Sequence, residues 1–143
     1  MNSKVFIQGA ISSEFIANVI ASHQRKTNIG AHNIFLGQVR ADEIGGSTVI
    51  GIEYEAYPEM TEKCIAAIRE YAIEKYNLTC LHIYHSLGRV HTGEICLFVF
   101  VSSKRRKQVY EATKDIVNKV KEEVPIFGRE LVSEQKFFWK QNT

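Results

Sequence analysis

Apolar residues recur at two different spacings along the chain, and each spacing predicts a type of element. In "ISSEFIANVIASHQ" they recur three or four positions apart, which predicts a helix with Ser12 or Ser13 as its N-cap. In "TVIGIEYEAY" apolar and charged residues alternate, which is the period of a half-buried strand. The face of this strand that we expect to be buried carries Ile50, Ile52, Tyr54 and Ala56.

The two prolines of the chain mark helix boundaries. Pro58 suits the first turn of a helix over "PEMTEKCIAAIREYAIEKYN", because the N–H that proline lacks has no partner there. Pro125 ends another helix, running from about Lys104 to Val124, because a residue before proline is pushed out of the helical region. The apolar stripe of the first helix is predicted to hold Met60, Cys64, Ile68, Tyr71 and Ala72, and that of the second Val109, Ala112, Ile116 and Val120.

The remaining apolar segments predict strands, and their order predicts the fold class. "AHNIFLGQVR" is predicted as a strand, followed by the loop "ADEIGGS". "TCLHIYHSLG" and "EICLFVFVSS" are predicted as two strands joined by "RVHTG", and the second is apolar enough for the middle of a sheet. "RELVSEQKFFWK" predicts a strand or an extended tail. Helices interspersed with hairpin-like strand pairs predict the α+β class, with a largely antiparallel sheet and flanking helices.

Composition limits the class of protein further. A chain of 143 residues, 45% apolar and 24% charged, is typical of one soluble globular domain, here residues 1–143. No segment approaches the roughly 18 uncharged residues of a membrane span, and the first residues lack a signal-peptide pattern, so we expect a cytoplasmic protein. A net charge of only +2 argues against nucleic acid as a partner.

The spacing of cysteine and histidine predicts no metal site. Cys64, Cys80 and Cys96 are isolated and odd in number, which fits neither a disulfide framework nor a zinc site. We expect inert buried thiols, with a reactive cysteine as the alternative. Spacing also shows no metal-ligand set among His32, His82, His85 and His91. His85, at a strand end, is expected to be structural or to line a pocket.

Positive charge is concentrated in a few places. "SSKRRKQ" puts four cations at positions 104–107, which suits phosphate or carboxylate groups, with a solvated helix start as the alternative. Arg40 closes "FLGQVR" and offers a planar fork that matches phosphate, although a lone arginine at a strand end is often only surface decoration.

Lys121 falls at the edge of the apolar stripe of its predicted helix, beside Val117. A lysine there can lay its stem on apolar surface and extend its amine into a pocket. Partial burial and nearby cations would then lower its pKa and make it a usable base or nucleophile. The alternative is an ordinary surface lysine.

The distance between Arg106 and Lys121 has a consequence for assembly. They are 15 residues apart, which is ~22 Å along a continuous helix. One small ligand cannot touch both within a single chain. If both serve one site, the sequence predicts a dimer with composite sites related by a twofold axis.

Five segments resemble, in order, motifs of the large, catalytic subunit of molybdopterin synthase. They are "FLGQVR", "IEYEAYPEMTEK", "YHSLGRVHTGE", "VSSKRRKQVYEA" and "VKEEVPIFGRE", of which the second is highly specific. The resemblance runs along nearly the whole chain and implies a fold of the α/β-hammerhead type.

The resemblance also implies an activity. It is the transfer of sulfur from the C-terminal thiocarboxylate of a small ubiquitin-like subunit to cyclic pyranopterin monophosphate (precursor Z). The product carries the dithiolene of molybdopterin, in molybdenum cofactor biosynthesis. The implied assembly is a heterotetramer built on a central dimer of large subunits, and the implied mechanism needs cations but no metal or cofactor.

Matched by position, the resemblance makes Lys121 the catalytic residue. It implies that Gln38, Val39 and Arg40 line the pterin pocket, that Arg106 enters from the other subunit, and that Arg129 and Glu130 complete the wall. The chain departs from the family pattern at four positions. Gly128 stands where the family has a second pocket lysine, Arg105 where it has histidine, Ser86 where it has arginine, and Phe127 where it has tryptophan.

The loss of a pocket lysine at Gly128 leaves two possibilities open. Arg105, Lys136 or Lys140 would restore the positive charge of the pocket. Alternatively, the chain is a non-catalytic homologue that binds the small subunit or an anionic ligand and has lost turnover.

Overall fold

A computed structural model gives the fold and describes residues 5–133 and 136–141. Its α+β architecture confirms the predicted class. In chain order the elements are β1 (Phe6–Gln8), α1 (Ser13–His23), β2 (Ala31–Gln38), β3 (Glu43–Ile44), β4 (Ser47–Thr48), β5 (Gly51–Ala56), α2 (Pro58–Tyr76), β6 (Cys80–His91), β7 (Ile95–Ser103), α3 (Arg106–Glu123), β8 (Ile126–Ser133) and β9 (Lys136–Trp139).

One large sheet organises the molecule, with the strand order β2-β7-β6-β5-β8-β9. Its pairings are antiparallel, as predicted, except that β1 joins β6 in parallel. The strand β7 lies between β2 and β6, and its residues 97–103 are all buried. The nearly continuous apolar run of this strand is therefore explained by its interior position.

Helices cover both faces of this sheet. Along β7, Val99 and Val101 belong to the core shared with α2 and α3, whereas Phe98 and Phe100 pack with α1. Successive side chains of a strand point to opposite faces, so one strand serves both cores. None of the helices in the described ranges is long and apolar enough to cross a membrane.

The helix boundaries agree with the capping and proline signals. Ser12 caps α1, because its Oγ accepts a hydrogen bond of 3.1 Å from the N–H of Phe15. The helix α3 ends at Glu123, and Val124 adopts an extended conformation before Pro125. The predicted stripe of α2 was wrong at Met60, which is 58% exposed. At the start of the helix the buried line passes one position later, through Thr61 and Ile65, and it continues through Ile68 and Ala72 as predicted.

Three strand predictions need correction. The segment "ADEIGGS" is not a plain loop, because β3 and β4 pair across Gly45 and Gly46, whose positive φ angles of 57° and 80° suit a two-residue hairpin turn. The strand β6 extends through most of "RVHTG" and ends at His91. Ile50 is 44% exposed, because β5 and its alternation begin only at Gly51.

Candidate functional site

A cavity of about 740 Å³ lies between the C-terminal end of α3, the end of β2 and the paired strands β5, β8 and β9. Six of the site residues predicted from the sequence line it, namely Gln38, Val39, Arg40, Lys121, Gly128 and Glu130. Its wall also includes Tyr54, His85, Cys96, Trp139 and Lys140. These residues come from distant parts of the chain, so the register of the sheet assembles the cavity.

Lys121 lies half-buried in the last turn of α3. Burial lowers the pKa of its ammonium, and the positive charges of Lys140 and Arg40 lower it further, while Cys96 acts in the opposite direction. The C-terminal end of a helix favours a cation, whereas burial in the cavity and the neighbouring cations disfavour the ammonium form of Lys121. Lys121 therefore has a larger neutral fraction near neutral pH than a surface lysine has.

Neutral side chains form the floor of the cavity beside Lys121. His85 is buried, and burial lowers its pKa to about 4, with Lys121 adding to the effect. Its Nδ1–H donates to the carbonyl of Ser86 over 2.8 Å, and its ring meets that of Tyr54 edge to face at 4.9 Å. Burial and the neighbouring Cys96 raise the pKa of Tyr54 well above its usual range. At neutral pH these groups carry no charge.

Gly128 in β8 and Lys140, the residue after β9, both line the cavity. A Cβ atom at Gly128 would lie 3.0 Å from Cγ2 of Ile52 and 3.2 Å from Cε1 of Tyr54, so a larger residue fits only if these side chains shift slightly. The N–H of Lys140 donates to the carbonyl of Gly128 over 2.8 Å. This bond sets Lys140 beside position 128, where its ammonium acts on Lys121.

The end of β2 supplies the opposite wall. The register of β2 shifts between Gly37 and Gln38. Val39 is buried and fixed by backbone hydrogen bonds to the β6–β7 turn, since its N–H donates to Glu94 and its carbonyl accepts from Gly93. Arg40 is mostly exposed, with an ion pair of 3.3 Å to Asp42. Exposed ion pairs contribute little, so the guanidinium is available to an anion in the cavity.

Three predicted site residues lie away from this cavity. Arg105 occupies the N-cap position of α3 without a capping side-chain hydrogen bond, and Arg106 is the first residue of that helix, at the end opposite Lys121. Arg129 alternates with the cavity-lining Gly128 and Glu130 along β8. Its guanidinium pairs with Glu55 over 3.1 Å and lies over the ring of Phe137. Arg106 thus has the separation that the dimer prediction requires.

Sequence reasoning did not place two residues of this wall in the pocket. Tyr54 was placed on the buried face of its strand, and Cys96 was expected to be an inert buried thiol, with a reactive thiol as the alternative. Both are buried, but they also line the cavity. His85 was expected to be structural or to line a pocket, and it lines this cavity. The sequence offered no signal for Trp139, whose position follows from the pairing of β8 with β9.

Comparison with known proteins identifies the family of this chain. Residues 10–123 match the family model described as "MoaE protein". The molybdopterin synthase catalytic subunit of Pyrococcus abyssi is 38% identical over 112 residues, which are 78% of this chain and 75% of that protein. Molybdopterin synthase from Staphylococcus aureus is similar in structure, with a TM-score of 0.83, 29% identity and coverage of 99% of this chain and 98% of that one.

A third likeness concerns the fold alone. The complex of subunits 1 and 2 of molybdopterin-converting factor from Helicobacter pylori contains a chain that matches with a TM-score of 0.82 and 22% identity, over 96% of this chain and 89% of that one. Sequence and structure thus lead to one assignment. The chain belongs to the MoaE protein family, the family of the molybdopterin synthase large subunit.

Proposed function

We propose that this chain is the catalytic large subunit of a molybdopterin synthase. It would transfer sulfur from the C-terminal thiocarboxylate of a small ubiquitin-like subunit to cyclic pyranopterin monophosphate, which gives the dithiolene of molybdopterin. The observation that carries this proposal is the half-buried Lys121, which shares one cavity with Lys140 and Arg40 on the scaffold of the family.

The cations suit a reaction between two anions. A thiocarboxylate and a substrate phosphate repel each other, and positive side chains lower the cost of holding them close together. Arg40 and Lys140 lie at the rim, where Arg40 can take a phosphate with its planar fork. In this proposal Lys140, rather than Arg129, supplies the second positive charge of the wall.

Lys121 acts at the acyl carbon of the carrier. The thiocarboxylate sulfur bonds to a side-chain carbon of the pterin, and an oxygen substituent leaves that carbon with its electron pair. Water then replaces the sulfur at the acyl carbon, the acyl carbon–sulfur electron pair stays with sulfur, and the carrier leaves as a carboxylate. An ammonium beside the acyl carbon stabilises the negative charge that develops there. The neutral amine of a lysine with a lowered pKa can take the proton that the water gives up.

The proposal includes two partners. The first is the small subunit, whose tail would enter the cavity between β2 and β8, in keeping with the two-subunit complex of similar fold. The second is another copy of this chain, because Arg106 lies at the far end of the helix that carries Lys121. A composite site at a dimer interface brings the two ends together.

Single-turnover conversion of cyclic pyranopterin monophosphate by the purified protein and a thiocarboxylated small subunit tests the proposal. We expect molybdopterin from the wild-type chain and a loss of at least about 100-fold in rate for Lys121→Ala, in the range of a lost charge-stabilising or proton-transfer group. Lys114→Ala is the matched control, because Lys114 is an exposed lysine of the same helix.

Docking without turnover would instead favour the second candidate, a non-catalytic homologue. The observation that favours it is Gly128 itself, which brings no cation to the wall and where a Cβ atom would lie within 3.2 Å of Ile52 and Tyr54. Binding of the small subunit with no dithiolene formed, in wild type and Lys121→Ala alike, would support that reading. Equal rates for Lys121→Ala and Lys114→Ala would contradict a catalytic role for Lys121.

A further inference from the structure

Two histidines and a cysteine meet on the sheet face that α1 covers. His23 is the last residue of α1, and Cys80 and His82 lie two positions apart on one face of β6. One ligand atom from each of the three lies within 4.8 Å of the other two. The cavity described above is lined by His85 rather than His82, so the two sites use opposite faces of β6.

The ring of His23 is oriented by its own helix. Its Nδ1 lies 2.7 Å from the carbonyl oxygen of Val19, and a carbonyl only accepts, so Nδ1 carries the proton. In the neutral ring the lone pair is then on Nε2, which lies 2.9 Å from Nε2 of His82. A backbone carbonyl that fixes the tautomer in this way is the usual support of a metal-binding histidine.

His82 and Cys80 complete the set of donors. His82 is half-buried, and its Nε2 faces Nε2 of His23. Cys80 is buried, and its Sγ accepts a hydrogen bond of 2.8 Å from the Lys26 ammonium. Lys26 itself is exposed, so its ammonium can move into solvent when a cation binds.

We propose that His23, Cys80 and His82 form a binding site for Zn²⁺, with one coordination position left open. Two imidazoles and a thiolate are ligands that zinc prefers. Nitrogens bound at ~2.0–2.1 Å in a tetrahedral site stand roughly 3.3 Å apart, a few tenths of an ångström more than the two Nε2 atoms do here. Closing the sulfur onto them needs about 1 Å of side-chain movement.

The site would fasten α1 to the sheet. Its ligands come from the last turn of α1 and the first residues of β6, which are 57 positions apart at the closest, from His23 to Cys80. Spacing along the sequence therefore gave no sign of it. Phe100 packs on one side of the cluster, 4.8 Å from the ring of His23, centroid to centroid. The zinc would occupy the side of the sheet away from Lys121 and take no part in sulfur transfer.

Titration of the metal-free, reduced full chain with Co²⁺, followed by Zn²⁺, tests the site. Co²⁺ bound by one thiolate and two imidazoles gives a thiolate-to-cobalt charge-transfer band in the near ultraviolet and the visible bands of a tetrahedral ion. We expect both at one Co²⁺ per chain, their loss on adding Zn²⁺, and a Tm that rises with Zn²⁺ concentration.

Variants distinguish this site from non-specific binding. Cys80→Ser should remove the charge-transfer band, and His82→Gln should weaken binding at least tenfold, a change as large as the loss of a supporting residue. Cys64→Ser and His91→Gln are matched controls away from the cluster and should bind as wild type does. Far-ultraviolet circular dichroism shows whether each variant is folded.

Two results would overturn the proposal. One is the absence of a thiolate-to-cobalt band in the folded wild-type chain. The other is a band that survives in folded Cys80→Ser or disappears in Cys64→Ser. In either case the cluster would be a pair of internal hydrogen bonds, His23 to His82 and Lys26 to Cys80, and nothing more.

Discussion

Lys121 and Lys140 share a cavity, and the positive charge of Lys140 lowers the pKa of Lys121. Replacing Lys140 with glutamine removes that repulsion, and the pKa of Lys121 should rise. In single-turnover sulfur transfer, the limb of the pH–rate profile that reports Lys121 should move to higher pH in Lys140→Gln. Lys136→Gln is the control, because Lys136 lies over the ring of Phe138 and does not line the cavity.

A pH–rate profile of Lys140→Gln that coincides with that of Lys136→Gln would show that the two lysines do not interact. The sign follows from electrostatics alone: a neighbouring cation disfavours the protonated amine, so its removal can only raise the pKa. The limb should therefore move to higher pH whether catalysis needs Lys121 as ammonium or as amine. What differs between the two cases is whether the rate falls or rises with pH along that limb.

His85 makes stability depend on pH. Its pKa is about 4 in the folded protein against an ordinary value of 6.5, so the unfolded chain binds more protons in the interval between them. The free energy of unfolding should therefore be fully retained above about pH 6.5 and fall by up to about 3 kcal/mol as the pH drops towards 4. In His85→Asn, whose amide can keep the bond to Ser86, this slope should be smaller.

Urea unfolding at a series of pH values measures that slope. Part of it will remain in His85→Asn, because the pKa of His82 is also lowered to about 4. His91→Gln changes an exposed histidine and serves as the control. Identical slopes for His85→Asn and His91→Gln would contradict the assignment to His85.

At the scale of elements, a group of side-chain hydrogen bonds joins α3 to α2. One carboxylate oxygen of Asp115 accepts hydrogen bonds of 2.7 Å from the hydroxyls of both Tyr71 and Tyr76. Burial opposes the ionised carboxyl, but these bonds and the nearby Lys75 prevail and lower the pKa of Asp115. A single oxygen thus links α3, the helix that carries Lys121, to α2.

Asp115→Ala should reduce the free energy of unfolding by about 1–3 kcal/mol, because it leaves two hydroxyls without their acceptor. Chemical denaturation measures the change. Glu111→Gln is the matched control, since Glu111 is an exposed acidic residue of α3. Equal stability of the two variants would mean that Asp115 contributes no more than a surface charge does.

Local patterns predicted the elements better than they predicted the edges of buried faces. The end of α3 was predictable because Pro125 acts on its immediate neighbour. The apolar stripe of this helix put Lys121 at its edge, which left partial burial and an ordinary surface lysine as the two possibilities. Met60 and Ile50 were misplaced, because burial there depends on where α2 meets Pro125 and where β5 begins to pair. Lys140 could be named from the sequence only as one of several tail cations. Its place depends on the register of β8 with β9, which no local pattern encodes.

At the scale of the whole molecule, the length of α3 separates Arg106 from Lys121. If each site takes Lys121 from one chain and Arg106 from the other, two inactive variants should complement each other. A mixed dimer of Lys121→Ala with Arg106→Ala contains one site with both alanines and one with both native residues. Random exchange makes half of the dimers mixed, so about a quarter of the wild-type activity should return.

Activity after refolding or subunit exchange of the two purified variants measures this recovery. Each variant alone, taken through the same treatment, gives the baseline. A differently tagged copy of each chain shows whether mixed dimers have formed. If they form and no activity returns, Arg106 and Lys121 do not belong to one shared site.

The hydrogen bond that joins Lys140 to Gly128 has a consequence for how this site evolves. Positions 128 and 140 are neighbours that line one cavity. A lysine at either position gives the cavity the same positive charge, so substitutions can move the lysine from one position to the other and keep the electrostatic potential inside. Relatives with lysine at the position of Gly128 should then tend to carry a neutral residue at the paired position. The two positions would be inherited as alternatives, and ancestral reconstruction should find their substitutions on the same branches.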